Sequence, residues 1–353
     1  MRPYAFYQER LDAVSRSFAL CIPQLAPPFR DQVALSYLLM RVLDTVEDAP
    51  FTDKDEQARQ FERLRGFLRT LPEPAEVDAF TAGFPPGLSA SEGALLADTF
   101  ALLEDAHMLP LPARAAVFGA VERMGVGMAA YARRSAMLRL VDLEDLTRYC
   151  CFVAGLVGEL LTTLWALSHS EPAPPIALAY HFGLFLQKVN ILKDQQEDEA
   201  VGRFFVPDRR ELLASLRNDA EGALAYLLAL PRGERGYRIF CAWSLMIGAT
   251  TIAQLDEVRI SRRADTAQLI GRTAEIAQDN AALARQFAEL MPRLPHLAPR
   301  APLAKPESVE WFRDKLAAPL TDAELRRLGI GVRAPRPRDS VALVLKPRRA
   351  RGR

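Results

Sequence analysis

The segment Asp31–Asp48 reads DQVALSYLLMRVLDTVED. Its apolar residues Val33, Leu35, Tyr37, Leu38, Leu39, Val42, Leu43 and Val46 cover more than one narrow stripe at helical spacing, which predicts a helix buried on most of its sides. The helix closes on Asp44, Glu47 and Asp48, positions i, i+3 and i+4, which share one face. Three like charges in that arrangement repel one another and destabilise the last turns unless something cationic sits between them.

The same spacing returns 150 residues later in Asp194-Gln-Gln-Glu197-Asp198, again at the end of an apolar run, FGLFLQKVNIL. With 44 acidic residues in the chain, chance gives roughly 0.08 such matches, so two of them argue against mere solvated faces. Both motifs are expected at the rim of a buried space. Hard, oxygen-preferring Mg²⁺ is the cation that suits them, held through a few carboxylates plus substrate phosphates. Arg41 lies one turn before Asp44, Lys193 precedes Asp194, and Arg203 follows the second motif. Arg grips phosphate oxygens bidentately and Lys acts as a point charge, so acids and bases here converge on a diphosphate.

Outward from these motifs the chain reads as helix throughout. Its 25 prolines leave the windows 113–171, 176–206 and 232–291 free, each too long for a strand. The punctuation predicts ten to twelve helices, no fixed repeat, and one all-α domain over residues 1–330 followed by a loose tail, 331–353. At 353 residues, 50% hydrophobic and 25% charged, the chain has the composition of an ordinary globular protein. A chain of that length buries about 75% of its unfolded surface without disulfide or metal staples. Residues 332–353 carry eight bases and one acid, a tail of +7 against −6 for the rest. An acidic folded part argues against nucleic-acid binding, and the tail is suited to peripheral contact with anionic lipid.

Cys21, Cys150, Cys151 and Cys241 form no CxxC pair, and the start MRPYAFYQERLDAV lacks a signal-peptide core. The expected compartment is the cytoplasm, at or near the inner face of a membrane. The longest uncharged run, Ile239–Leu255, has 17 residues, short of the ~20 a spanning helix needs, and reads as a core helix. No transmembrane helix is expected. The four histidines are scattered, which argues against zinc, and no GxSxG, P-loop or GxGxxG opens a strand–helix unit.

Five segments in order carry a resemblance: Ser15-Arg-Ser-Phe18, Leu38–Asp48, Tyr149–Gly158 (YCCFVAGLVG), Gly183–Asp198 (GLFLQKVNILKDQQED) and Phe240–Thr250 (FCAWSLMIGAT). Together they resemble the squalene/phytoene synthase family of head-to-head prenyl transferases, most closely its squalene-forming members. The resemblance implies an all-α isoprenoid synthase bundle around a central cavity, with the two acidic motifs facing each other across it. It implies Asp44, Glu47, Asp48, Asp194, Glu197 and Asp198 as Mg²⁺ ligands. Ser15, Arg16, Arg41, Lys193 and Arg203 match positions at the diphosphate, and Phe18, Leu156, Val157, Gln187 and Asn190 match substrate-binding positions. Tyr149 matches the tyrosine assigned to proton transfer near the departing diphosphate. The implied reaction joins two farnesyl diphosphates through presqualene diphosphate to squalene, with hydride from NADPH.

The chain also departs from the pattern. Lys193 stands where the family has Arg, and Tyr-Cys-Cys-Phe stands where squalene-forming members have Tyr-Cys-His-Tyr. Two further readings therefore accompany the first: a synthase stopping at presqualene diphosphate or giving a dehydrosqualene or phytoene-type product, and a non-catalytic assembly or binding relative. Gly155 and Gly158, three apart on a helix, each cost about 1 kcal/mol relative to Ala and imply close backbone approach or room for a ligand.

Overall fold

The computed structural model describes residues 1–15, 17–134, 138–254 and 263–290. Arg16 and the basic tail fall outside the described residues, as does the domain boundary near residue 330. The chain divides into Met1–Pro319 and Leu320–Arg353, and every described residue belongs to the first unit.

Sixteen α-helical segments run in order: α1 (Tyr4–Val14), α2 (Phe18–Cys21), α3 (Phe29–Asp48), α4 (Lys54–Arg69), α5 (Pro74–Ala82), α6 (Ala90–Ala97), α7 (Thr99–His107), α8 (Leu111–Ala132), α9 (Leu143–Cys150), α10 (Leu156–Ser168), α11 (Ile176–Lys193), α12 (Gln195–Ala200), α13 (Arg209–Ala229), α14 (Arg235–Gln254), α15 (Arg263–Ile276) and α16 (Asn280–Leu290). This exceeds the ten to twelve that proline spacing predicted. Among the extra breaks are two where no proline or glycine stands, at Asp98 between α6 and α7 and at Asp194 between α11 and α12. Two two-residue strands, β1 (Leu138–Arg139) and β2 (Arg203–Phe204), pair in parallel, with Leu138 opposite Arg203.

Helix α11 is the central post. It packs on α13, α10 and α14, while α3 packs on α8 and α10. The length of α3 follows from its sequence: thirteen of its twenty residues are buried, on several sides at once, so the helix is held by tertiary packing. Two glycines set how closely α10 and α11 approach. A Cβ at Gly158 would stand 2.1 Å from the Ala179 carbonyl oxygen, and one at Gly183 would stand 2.2 Å from that of Ala154. Backbone approach, one of the two reasons anticipated for Gly158, is realised there.

Between α9 and α10 the chain forms a π-helical turn, Cys151–Gly155. The continuous run Leu143–Ser168 is long and apolar enough to cross a membrane, at mean hydropathy 1.8, with half of that window buried inside the fold. Counting uncharged residues missed it because Glu159 interrupts the run. Leu156, Leu160, Leu164 and Trp165 are buried in the core, so this run serves the bundle as an inner helix. The uncharged run beginning at Ile239 lies in α14, where Ile239, Phe240, Ala242, Leu245 and Met246 are buried. All four cysteines are buried and none forms a disulfide.

Candidate active site

Asp44, Glu47 and Asp48 occupy the last turns of α3, as the spacing requires. Arg41 Nη1 donates to Asp44 Oδ2 at 3.4 Å, and its Nη2 lies 3.6 Å from Glu92 Oε1. Arg203 Nη1 reaches Asp48 Oδ1 at 2.5 Å, and its Nη2 lies 3.4 Å from both the Glu47 and Asp48 carbonyl oxygens. Gly202, at φ +82°, turns the chain immediately before Arg203 in a conformation that glycine adopts without a steric cost. The β1–β2 pair then fixes the strand that carries Arg203. Tyr149, almost fully buried, donates its phenol to Glu47 Oε1 at 3.4 Å and stacks on Phe205 at 5.1 Å between ring centroids.

The second motif does not lie within one helix. Asp194 is the junction between α11 and α12. The hydrogen-bond ladder nevertheless continues through it: Asp194 N–H donates to the Asn190 carbonyl at 2.8 Å and Asp198 N–H to that of Asp194 at 2.9 Å. The i and i+4 positions therefore keep their helical relation across the junction. Lys193 Nζ rests on Asp194 at 2.9 Å, and both are substantially exposed. Glu197 is exposed as well.

Electrostatics join the two motifs. Burial raises the Asp198 carboxyl to about 6, Arg203 opposes the shift, and the charges of Asp194, Asp48 and Glu197 add to it. Asp48 belongs to the first motif, so the two acid groups share one field. Burial raises Glu47 to about 8, reinforced by Asp48 and Asp44 and opposed by Arg203. It raises Asp44 to about 6, with Arg41 opposing and Asp48 adding. Crowded carboxylates that resist ionisation are what a divalent cation relieves.

The donors are all carboxylate oxygens, the set that suits Mg²⁺. Among the described residues no three acids, histidines or cysteines converge closely enough to hold a metal ion by themselves. Mg²⁺ commonly binds through one or two carboxylates and completes its shell with water and substrate phosphates, so this donor set fits a metal that shares a diphosphate.

Beneath the acids lies a cavity of about 290 Å³. Arg41, Asp44, Gln187 and Asn190 line it, together with Phe18, Tyr37, Met40, Val157, Leu161, Phe182, Tyr226, Tyr237 and Phe240. The sequence-derived residues Phe18, Val157, Gln187 and Asn190 thus share one wall system with Arg41 and Asp44. Leu156 does not: it is fully buried and is not among the lining residues. Val153, Ala154, Val157, Gly158, Leu160, Leu161 and Leu164 form the α10 side of the cavity, and Leu156 lies about 100° around the helix from Val157. Ser15 stands beside the cavity, its Oγ accepting from Phe18 N–H at 3.1 Å and bonded to Tyr37.

Several contributors have no signature in the sequence. Phe205 stacks on Tyr149, Tyr131 makes a T-shaped contact with it at 5.1 Å between ring centroids, and Glu92 reaches Arg41 from another helix. Each is placed by tertiary structure rather than by a local pattern. The π-turn is likewise silent in composition, although such turns recur at functional sites.

Comparison with known proteins agrees with this geometry. A family model for squalene/phytoene synthase matches residues 11–215. The squalene synthase of Mycosarcoma maydis is 34% identical over 204 residues, 56% of this chain and 34% of that protein. The squalene synthase of Schizosaccharomyces pombe is 36% identical over 203 residues, 56% of this chain and 42% of that protein. The match spans less than half the length of these curated relatives. Among solved structures, TcSQS with the ligand E5700 superposes with a TM-score of 0.68 at 24% identity, covering 92% of this chain and 98% of the other. A dehydrosqualene synthase complex gives 0.50 at 18%, covering 77% and 95%. The architecture is therefore the all-α isoprenoid synthase fold.

Proposed function

The chain belongs to the squalene/phytoene synthase family, and from that membership we propose that it condenses two farnesyl diphosphates head to head, through presqualene diphosphate, to squalene. The observation that carries this reading is an apolar cavity lined by Asp44 of the first acidic motif and by Asn190, one turn before Asp194, with Arg203 bound to the first motif and within the electrostatic reach of Asp198 in the second. Asp44, Glu47, Asp48, Asp194, Glu197 and Asp198 are the residues that would hold Mg²⁺, which when bound supplies charge neutralisation for the departing diphosphate.

The chain's own residues supply the rest. Arg41, Lys193 and Arg203 surround the rim with fixed positive charge, where the first diphosphate leaves with the bonding electron pair. The apolar walls, Phe18, Val157, Leu161 and Phe182 among them, keep water from the allylic cation until the double bond of the second substrate captures it. Closing the cyclopropane releases one proton. Tyr149 is the buried phenol next to the acids, and burial with the nearby Glu47 charge keeps it protonated. It can therefore hand a proton to the departing diphosphate as it receives the one released. Gln187 and Asn190, one turn apart on α11, orient the substrate at the throat of the cavity.

Among the described residues there is no strand–glycine-loop–helix unit of the kind that cradles a dinucleotide, so NADPH is a variable of the test. Purified protein is incubated with farnesyl diphosphate and Mg²⁺, with and without NADPH, and the products are identified by mass spectrometry. Squalene formed only with NADPH is the expected result. Presqualene diphosphate or a dehydrosqualene under both conditions would replace the second half of the proposal. No turnover of any prenyl diphosphate would reject it.

A further inference from the structure

Beside the acidic rim lies a second, fully enclosed charge cluster that the reaction as described does not use. Arg134 and Asp145 form a bidentate ion pair, Nη1 to Oδ2 at 2.6 Å and Nη2 to Oδ1 at 2.7 Å, with side chains only 1% and 7% exposed. A buried pair of this kind contributes little net stability, because desolvation offsets its Coulombic gain. Its geometry points to another use.

Asp145 has two outgoing arms. Through Oδ1 it accepts from the Tyr131 phenol at 3.1 Å, and the Tyr131 ring, capped by the Arg134 guanidinium at 3.8 Å, packs against Tyr149 in a T-shaped contact, 5.1 Å between ring centroids. Through Oδ2 it accepts from Val141 N–H at 3.2 Å. That second bond anchors the segment leading out of β1, whose Leu140 N–H donates to the Phe204 carbonyl at 3.0 Å and whose Leu138 pairs with Arg203. The arms meet again at the site, because Phe205, two residues beyond Arg203, stacks on Tyr149.

We infer that Asp145, held by Arg134, is a positioning residue that sets Tyr149 and Arg203 relative to each other at the acidic rim. One carboxylate oxygen orients the proton-handling phenol through Tyr131. The other orients the diphosphate-facing guanidinium through the β1–β2 pair. Asp145 touches no substrate. It works by fixing two groups that come from distant parts of the chain in one frame, the kind of pre-organisation on which rates depend steeply. This inference rests on the function proposed above.

The test compares Asp145→Asn, Tyr131→Phe and a control, Asp105→Asn, with the wild type. Asp105 is another buried acid, bonded to the Tyr7 phenol at 2.8 Å and absent from the cavity lining. Each protein is assayed for kcat and KM with farnesyl diphosphate, for binding of magnesium pyrophosphate by calorimetry, and for melting temperature. Asp145→Asn is expected to lower kcat on the order of 10- to 100-fold and to weaken pyrophosphate binding. Tyr131→Phe, which cuts only the arm to Tyr149, is expected to lower kcat while leaving pyrophosphate affinity unchanged. Asp105→Asn is expected to lower the melting temperature and leave the other values at wild-type level. A folded Asp145→Asn with wild-type kcat and pyrophosphate affinity would overturn the inference. Should Asp145→Asn fail to fold, Tyr131→Phe with unchanged kcat would overturn it. A wild type that neither turns over prenyl diphosphates nor binds pyrophosphate would instead remove the functional reading and this inference with it.

Discussion

At the scale of single residues, the acids of the two motifs differ in how strongly each is held away from its ordinary charge state. Asp44 and Asp198 sit near 6 and Glu47 near 8, in each case raised first by burial and then by neighbouring acids. Asp44→Asn or Asp198→Asn removes a ligand-bearing charge without removing volume. Each should reduce turnover by about 10²- to 10³-fold, the size of effect seen when one electrostatic contributor to a transition state is lost. Circular dichroism should show the helix content unchanged; a variant with retained activity would contradict a shared acidic site. Glu47 gives a second prediction, through linkage. Its folded value lies above that of the unfolded chain, so the folded state binds the extra proton between roughly 4.5 and 8. The stability that this proton confers is therefore complete below the unfolded value and is lost as pH rises through the folded one. Metal-free protein should melt at progressively lower temperature across that window, and Glu47→Gln should flatten the trend. Melting curves of both proteins from pH 4 to pH 8 measure the difference.

At the scale of elements, the contact of α10 with α11 leaves no room for a side chain at Gly158. Gly158→Ala gains about 1 kcal/mol of helix propensity, yet its Cβ would meet a backbone carbonyl at 2.1 Å, and a backbone atom cannot rotate aside. Overpacking of this kind costs about 1–3 kcal/mol, so the substitution should lower the melting temperature despite the better helix former. A thermal melt decides which term wins. The same element pair shows what was legible in the chain. The periodicity of Asp31–Asp48 gave α3 and its acids, and the uncharged run gave the core of α14, because both patterns are local. The paired glycines announced a close approach but not its partner, which is a residue on another helix. The break at Asp194, the π-turn at Cys151–Gly155 and the β1–β2 pair left no trace, since each is set by packing against residues far along the chain. Among candidate site residues on the cavity wall, Arg41 and Asp44 were legible from motif spacing, while Phe18, Val157, Gln187 and Asn190 came from the family resemblance. Leu156 shows the limit of such carry-over: a one-residue step on a helix turns a side chain from the cavity into the core.

At the scale of the whole molecule, long helices surround the cavity, and the first acidic motif with Arg41 and Arg203 stands at its rim. The parts of that rim come from widely separated positions: Arg203 meets Asp48 across 155 residues, and Tyr149 meets Glu47 across 102. The two-residue pairing of Leu138 with Arg203 is the smallest element in the fold, and it gives one of these distant groups its place. Contacts between distant residues carry the loop-closure entropy of everything between them, whereas helical turns close locally and quickly. During refolding from denaturant, helicity measured by circular dichroism should therefore recover before enzymatic turnover does, with an interval in which the barrel of helices exists but its rim is still unassembled. A chain emerging from the ribosome meets the same order of events: the first acidic motif is synthesised long before the strand that completes it, so the rim can assemble only after Arg203 has been made.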